Sequence, residues 1–287
     1  METNSLIKKV RKIEIKTRKL SNNIFSGEYN SHFKGRGMIF SEVRKYNFGD
    51  DIRDIDWNVT AKLNSPYIKV FEEERELTLF LLIDVSRSGV YGTKIQEKKS
   101  LITEISAILS FSAIQNNDKV GVIFFSDIVE MYIPPKKGKK HILRIIRELI
   151  EMKPKSYKTN LSGALKFFIS VIKKRSIAFI LSDFQDNGYL NNLKIASKKH
   201  DINAIRVFDP SEKDIYNLGL IQIKNPETHK SIFVDTSSKI LRNKYKNEYL
   251  NFVENFKLNC KLSGTDFIEM SVNENYIPIL LNFFKKR

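Results

Sequence analysis

Apolar residues follow two patterns along this chain, uninterrupted short runs and helically spaced series. Residues 77–83, 120–125 and 177–181 contain no charged side chain, which is typical of strands buried on both faces of a parallel sheet. Between these runs, apolar residues recur every three or four positions, as from Leu101 to Leu109. This alternation predicts an α/β fold with a mainly parallel sheet flanked by helices.

The rest of the pattern predicts how the sheet is completed. The further elements expected, in chain order, are an antiparallel edge strand at 129–133, a strand at 202–208, a hairpin of 220–223 with 231–234, a long helix at about 240–256 and a short helix near the C-terminus. The edge strand is expected to end at Pro134 and Pro135, because proline has no N–H for the sheet ladder.

The first 76 residues have a different pattern and are expected to form a unit separate from residues 77–287. Residues 1–20 place apolar side chains at helical spacing among cationic ones, which predicts an amphipathic helix. Residues 21–76 are punctuated by glycines and contain an alternating segment at 67–71, which predicts a small β-rich extension.

Within that extension, residues 48–57 are dense in aspartate and contain the single tryptophan. We expect a turn at Gly49 whose following carboxylates cap backbone amides and pair with Arg44 or Arg53, while Trp57 anchors the segment in the core. The alternative is a second metal site or a catalytic carboxylate pair in the same segment.

Composition narrows the classes of function. The 287 residues carry 49 Lys and Arg against 33 Asp and Glu, a net charge of +16, but the basic residues are spread along the chain without a nucleic-acid-binding motif. No nucleic-acid partner is therefore expected.

The single cysteine excludes an intramolecular disulfide and a Cys-rich zinc site. With neither a signal-peptide pattern nor a transmembrane segment in the sequence, we expect a cytoplasmic protein.

Oxygen-bearing side chains follow the run at 77–83. Asp84, Ser86 and Ser88 come at alternate positions where an open α/β sheet usually binds its ligands, just past a carboxyl strand end. Such oxygen ligands suit a hard cation such as Mg²⁺. Because hydroxyl groups are neutral, they leave part of the positive charge of the cation uncompensated. Asp183 follows another buried run, and Thr159 precedes a predicted helix. The alternative for Asp84 to Ser88 is a serine-rich turn whose aspartate caps a helix.

Several segments together resemble one family. They lie at 35–37, 42–46, 49–57 and 71–76, and further on at 118–121, 134–138, 181–184, 200–201, 209–212 and 283–287. In this order, and over nearly the full length, they strongly resemble the DUF58 family, in which the early elements precede a von Willebrand A-like domain. The metal-ion-dependent adhesion site (MIDAS) of von Willebrand A domains has five positions, which the resemblance places at Asp84, Ser86, Ser88, Thr159 and Asp183.

Two departures from the family pattern stand out. The family often carries Gly-Thr-Asp where this chain has Lys158, Thr159 and Asn160, so Lys158 can weaken cation affinity or pair with a carboxylate ligand. An aspartate often stands in the family where this chain has residues 225–229, so this turn departs from the family pattern.

The DUF58 resemblance implies a partnership with a MoxR-type AAA+ ATPase, with other von Willebrand A-like proteins as a further class of partner. We therefore expect a non-enzymatic adaptor for protein remodelling or maturation, with Mg²⁺ or Mn²⁺ as its cofactor. The alternative is a Mg²⁺-dependent phosphohydrolase or phosphotransferase. Against it, Ser86 stands where haloacid-dehalogenase-type enzymes need a second carboxylate, and no Walker A loop is present.

Overall fold

The structure is a computed structural model that describes residues 38–73, 77–86, 95–156, 158–224 and 231–285. The predictions for the helix at 1–20, for Ser88 and for the turn at 225–229 lie outside the described residues. The chain forms two compact units, Asn30–Glu76 and a larger one that contains Leu77–Arg287.

The smaller unit is built on an antiparallel pair of strands, β1 (Met38–Lys45) and β2 (Tyr67–Glu73). A short helix, α1 (Trp57–Leu63), lies between them in sequence and was not predicted. The Asp56 side chain begins this helix by accepting hydrogen bonds from the backbone N–H groups of Asn58 and Val59. The predicted β-rich extension therefore also contains a helical turn.

The aspartate-rich segment is held by the predicted local bonds. Arg44 donates two hydrogen bonds of 2.8 Å to the Asp50 carboxylate, and Asp51 accepts from the backbone N–H of Arg53 at 3.0 Å. The predicted pairing and capping are thus confirmed. The prediction that Trp57 is a core anchor is wrong, because its side chain is 67% exposed. Trp57 begins α1, and no residue of this short helix is buried.

The larger unit contains a six-stranded sheet and a separate hairpin. Its strands are β3 (Thr78–Asp84), β4 (Lys119–Phe125), β5 (Val129–Lys136), β6 (Ile177–Ser182), β7 (Asp201–Phe208), β8 (Leu220–Lys224), β9 (Ser231–Asp235) and β10 (Asp266–Ser271). The sheet order is β10-β7-β6-β3-β4-β5, with β5 antiparallel and every other neighbouring pair parallel. The prediction of an α/β class with a mainly parallel sheet is confirmed by this arrangement.

The strand order reverses direction beside β3. From β3 the chain first builds β4 and β5 on one side, then returns to add β6, β7 and β10 on the other. The boundary between β3 and β6 is therefore the topological switch point of the sheet, where loops at the carboxyl strand ends separate and leave a crevice.

In the described part of the larger unit, six helices accompany the sheet: α2 (Ile95–Gln115), α3 (Lys139–Glu151), α4 (Leu161–Val171), α5 (Leu190–Lys199), α6 (Lys239–Ser263) and α7 (Tyr276–Lys285). Phe80 of β3 and Phe168 of α4, both fully buried, pack edge to face at 5.4 Å between ring centroids. In the parts of the chain that the structure describes, no helix has the length and apolar composition needed to cross a membrane.

Two element boundaries differ from the predictions, and one strand was not predicted. Strand β5 continues through Pro134 and Pro135 to Lys136, which an edge strand tolerates because one side of its ladder is open. Helix α6 continues past residue 256 to Ser263, where Gly264 ends it in the left-handed region at φ +67°. Strand β10 was not predicted, because its apolar residues are interrupted by Asp266 and Glu269.

Candidate functional site

Asp84 is the last residue of β3, and local bonds fix its carboxylate at the strand end. Its Oδ1 accepts a hydrogen bond of 2.9 Å from the backbone N–H of Ser86. The backbone N–H of Val85 continues the ladder by donating to the Phe125 carbonyl at 2.9 Å. The chain therefore leaves the strand in a defined direction, with Asp84 and Ser86 at the carboxyl edge of the sheet.

A bond between neighbouring strand ends joins Asp84 to the segment that carries Asp183. The Ser182 hydroxyl donates to Asp84 Oδ2 at 2.7 Å, and Ser182 Oγ accepts from the backbone N–H of Phe184 at 3.0 Å. Asp183 follows Ser182 directly and is 6% exposed. Because β3 and β6 are parallel neighbours, the two aspartates that were predicted at strand ends lie at the same edge of the sheet.

The backbone just after Asp183 adopts an unusual conformation. Phe184 has φ +60°, in the left-handed region that residues other than glycine seldom occupy. Its ring is fully buried, with its centroid 4.7 Å from that of Phe256. This packing holds the strained turn in place, and such strain clusters at functional sites.

Thr159 reaches the same edge from the loop before α4. Its hydroxyl donates to Ser86 Oγ at 2.8 Å. The next residue, Asn160, caps α4 by accepting from the backbone N–H of Gly163 at 2.7 Å, which explains an asparagine at this position. The Asp186 carboxylate accepts from the backbone N–H of Leu161 at 2.8 Å, so the Thr159 loop is also tied to the segment after Asp183.

The Thr159 loop has a second anchor that was not predicted. One oxygen of Glu130, Oε1, accepts hydrogen bonds from the Ser126 hydroxyl at 2.7 Å and from the backbone N–H groups of Lys155 and Ser156 at 2.9 and 3.2 Å. The Ser126 carbonyl in turn accepts from the backbone N–H of Asn160 at 2.9 Å. The β4–β5 hairpin therefore positions the loop that presents Thr159.

Negative charge is concentrated where these elements meet. Burial, and then the neighbouring charge of Asp183, raise the pKa of Asp84 from 3.8 to about 6. A cation placed beside Asp84 and Asp183 would offset both the burial of the Asp84 carboxylate and its repulsion by Asp183.

A buried lysine stands on the other side of Asp183. The Lys98 side chain, on α2, is 3% exposed, and its Nζ lies 3.8 Å from Asp183 Oδ2. The same ammonium forms an ion pair with Glu212 Oε1. Burial raises the pKa of Glu212, while the charge of Lys98 acts in the opposite direction. Neither Lys98 nor Glu212 was predicted, since the sequence offers 49 basic residues and no pattern that selects one.

Asp209, which follows β7, starts a helical turn. Its Oδ1 accepts from the backbone N–H of Ser211 at 2.9 Å, at the start of the short 3-10 helix Pro210–Glu212. This turn places Glu212 beside Lys98. Asp209 therefore acts as a capping residue at this strand end.

Four of the five residues predicted as metal ligands, Asp84, Ser86, Thr159 and Asp183, are held at one edge of the sheet. Neighbouring ligands of an octahedral Mg²⁺ ion lie about 2.9 Å apart when each metal–oxygen bond is 2.0–2.1 Å. The Ser86 and Thr159 hydroxyl oxygens, at 2.8 Å, already have this spacing. Lys158 is exposed. The donors, carboxylates and hydroxyls, therefore suit a hard divalent cation.

In the described parts of the chain, carboxylates alone do not form a metal centre. Among the described residues, no three His, Cys, Asp or Glu side chains are grouped so that they can hold a metal ion. This holds for residues 48–57 as well, so the alternative of a second metal site there gains no support. A cation at the strand ends would depend on hydroxyl ligands as well as on Asp84 and Asp183.

The sequence profile of the family described as "Protein of unknown function DUF58" matches residues 42–253. This chain belongs to the DUF58 family. Among curated proteins, the DUF58 chain is similar to an uncharacterized protein of Mycobacterium tuberculosis, with 25% identity over 222 residues, which is 76% of this chain and 70% of that protein.

Solved structures similar to this DUF58 protein are distant. One is the conserved hypothetical protein BatB from Bacteroides thetaiotaomicron, with a TM-score of 0.43 and 12% identity over 73% of this chain and 98% of that one. Another is proximal thread matrix protein 1 from the mussel byssus, described with a zinc-occupied MIDAS motif, with a TM-score of 0.36 and 20% identity over 46% of this chain and 38% of that one.

Proposed function

We propose that this DUF58 protein is a non-enzymatic protein-interaction module that recognises an acidic residue of its partner through a bound divalent cation, Mg²⁺ or Mn²⁺. Asp84, Ser86, Thr159 and Asp183, together with Ser88, would hold the ion. Bound there, the cation supplies an electrophilic site for one more oxygen ligand. The observation that carries the proposal is the convergence of the four described side chains, Asp84, Ser86, Thr159 and Asp183, at the switch point of the sheet.

The ligand set explains why the partner would contribute a carboxylate. Two aspartates and neutral hydroxyls leave a divalent ion with less negative charge around it than an all-carboxylate site does. Ser182 and the Ser86 amide hold the Asp84 carboxylate in one orientation, and the Glu130 contacts hold the Thr159 loop. A prearranged site of this kind selects a partner by the position of a single acidic side chain.

The partner we propose is a MoxR-type AAA+ ATPase, and the task is the remodelling or maturation of other proteins. Membership of the DUF58 family supports this part of the proposal. The chain would act as an adaptor in the cytoplasm, presenting its carboxyl sheet edge to the ATPase or to a substrate protein.

The competing function, Mg²⁺-dependent phosphoryl transfer with Asp84 as nucleophile, has less support. Both oxygens of Asp84 accept hydrogen bonds, from the Ser86 amide and from the Ser182 hydroxyl. Position 86, two residues after the candidate nucleophile, holds a serine that contacts Thr159 instead of a carboxylate that could act as acid or base.

Calorimetric titration with Mg²⁺ and Mn²⁺ tests the cation site. Wild type should bind one ion, and Asp84→Asn and Asp183→Asn should lose most of that affinity. Asp266→Asn is a matched control, because residue 266 begins β10 and so lies at the opposite, amino end of the parallel strands. Equal binding by all four proteins would refute the site.

A second experiment tests the partner. The chain is mixed with the purified MoxR-type ATPase, with Mg²⁺ and with EDTA in the absence of nucleotide, and co-elution is measured. Loss of the complex in EDTA and in Asp183→Asn, with normal binding by Asp266→Asn, would support the adaptor. Association that is unaffected by EDTA and by the Asp183→Asn substitution would contradict metal bridging. A phosphatase activity that is lost in Asp84→Asn would favour the alternative function, phosphoryl transfer.

A further inference from the structure

The cluster of Lys98, Asp183 and Glu212 is almost completely buried. Their side chains are 3%, 5% and 3% exposed. Buried charges are costly unless they are paired, so a lysine at this depth needs its carboxylates close by. The ammonium lies 3.8 Å from Asp183 and contacts Glu212 directly.

This cluster joins three separate parts of the larger unit. Lys98 lies on α2, Asp183 follows β6, and Glu212 ends the short helical turn after β7. Lys98 and Glu212 are 114 residues apart in sequence. An ion pair built from such distant segments depends on the tertiary fold, and it places a fixed positive charge beside a carboxylate that belongs to the candidate cation site.

The next residue of the same helix shows that this placement is particular to Lys98. Lys99 turns the other way, and its ammonium donates to the backbone carbonyls of Ile150 and Met152 at 2.9 and 3.2 Å, at the end of α3. Lys99 therefore carries the same charge as Lys98 on the same helix, but its ammonium contacts backbone carbonyl groups at the end of α3 and not Asp183.

We propose that Lys98 is the internal counter-cation of the Asp183 carboxylate and that it sets the affinity of the site for divalent ions by competing with them. This inference rests on the proposed cation site. In the metal-free protein the ammonium balances Asp183 and Glu212, so the strand ends keep their arrangement. When a divalent ion binds, the nearby positive charge repels it and lowers its affinity.

Glu212 has a defined part in this balance. It holds the Lys98 ammonium by a direct ion pair, whereas Asp183 is the more distant carboxylate. One Glu212 oxygen, Oε2, is buried without a hydrogen-bond partner among the described residues. Removing the charge of Glu212 should therefore leave Asp183 as the main counter-charge of Lys98 and make that carboxylate less available to a metal ion.

The test is a titration of Mg²⁺ and Mn²⁺ into four full-length proteins, which are wild type, Lys98→Met, Glu212→Gln and Lys99→Met. Lys98→Met should bind about tenfold tighter, because a repelling charge near the ion has been removed. Glu212→Gln should bind several-fold more weakly, and Lys99→Met should bind like wild type. The opposite signs distinguish charge competition from a general loss of structure.

The outcomes separate this inference from the proposed function. Equal affinities for wild type and Lys98→Met, or tighter binding by Glu212→Gln, would overturn the role of Lys98 and leave the cation site intact. Binding by Lys98→Met alone would support the inference most strongly. Absence of binding in every protein would refute the cation site itself. If Lys98→Met does not fold, the metal affinity of Glu212→Gln relative to wild type tests the role of Lys98.

Discussion

Gly121 lies directly beside Phe80 in the parallel register of β4 and β3, and the Phe80 ring covers the space that a side chain at 121 would fill. A Cβ atom added there would stand 2.5 Å from Phe80 Cε1. The ring cannot swing aside freely, since it packs against Phe168.

Gly121→Ala should therefore lower the free energy of unfolding by about 1–3 kcal/mol, the usual cost of overpacking a core. Urea denaturation monitored by circular dichroism measures it. The double variant Phe80→Leu with Gly121→Ala serves as the control and should lose less stability than the two single changes together. A Gly121→Ala protein as stable as wild type would show that the strands separate without cost.

Glu130 should be a positioning residue for the cation site. Glu130→Ala removes the acceptor that holds Lys155 and Ser156, so the Thr159 loop should move more freely and Mg²⁺ affinity should fall about tenfold, which corresponds to about 1.4 kcal/mol. Calorimetry measures the change. The control is Glu148→Ala, which removes a carboxylate on α3 whose contact is a surface pair with Arg144. Equal affinities for the two variants would contradict this role.

His200 should make the fold sensitive to acid. The ring is 1% exposed, lies 4.6 Å from the Phe168 ring and has no hydrogen-bond partner for either nitrogen among the described residues. Burial, with smaller effects of Lys199 and Arg175, lowers its pKa from 6.5 to about 4. The unfolded chain therefore binds a proton that the folded chain does not, and stability falls as pH drops from 6.5 to 4.

His200 should contribute at most about 3.5 kcal/mol to the loss of stability on acidification, since its pKa differs by about 2.5 between the unfolded and folded chains and each pKa unit corresponds to about 1.4 kcal/mol. The variant His200→Phe keeps the ring packing and every other histidine, so its stability should fall less over the same range. Urea denaturation at several pH values measures the difference. Parallel pH profiles for the two proteins would refute a role for His200.

Trp57→Ala should change the stability of the smaller unit by less than about 0.5 kcal/mol, as is usual for exposed positions. Ile68→Ala in the same unit is the matched comparison, because Ile68 is 5% exposed and its truncation should cost about 2–5 kcal/mol. Denaturation followed by circular dichroism compares the two. A large loss in Trp57→Ala would mean that the indole is buried after all. Unchanged stability with weaker binding of the ATPase would assign Trp57 to an interaction surface.

The main sheet was predictable because its strands are buried on both faces. Such strands leave uninterrupted apolar runs in the sequence, as at 77–83 and 177–181. Asp84 follows the first run directly, and Asp183 follows the second after Ser182. Since parallel neighbours end at one edge, the meeting of the two aspartates could also be predicted. Strand β10 escaped prediction because its partly buried residues are mixed with acidic ones.

The residues that support the site could not be predicted, for a physical reason. Lys98, Glu130 and Glu212 act through ion pairs and backbone contacts that exist only after distant segments have packed. Their identities carry no local pattern. The mistake over Trp57 has a similar origin, because a large aromatic residue is usually buried and only the tertiary fold reveals that this one begins an exposed helix.

The two prolines in β5 affect how the protein behaves at high concentration. Pro134 and Pro135 have no backbone N–H to donate, and they lie where the register between β4 and β5 shifts, on the outermost strand of the described sheet. A strand from another molecule that tried to extend the sheet there would find a gap in its hydrogen-bond ladder. Fibre-like growth and strand exchange are thereby disfavoured at this edge.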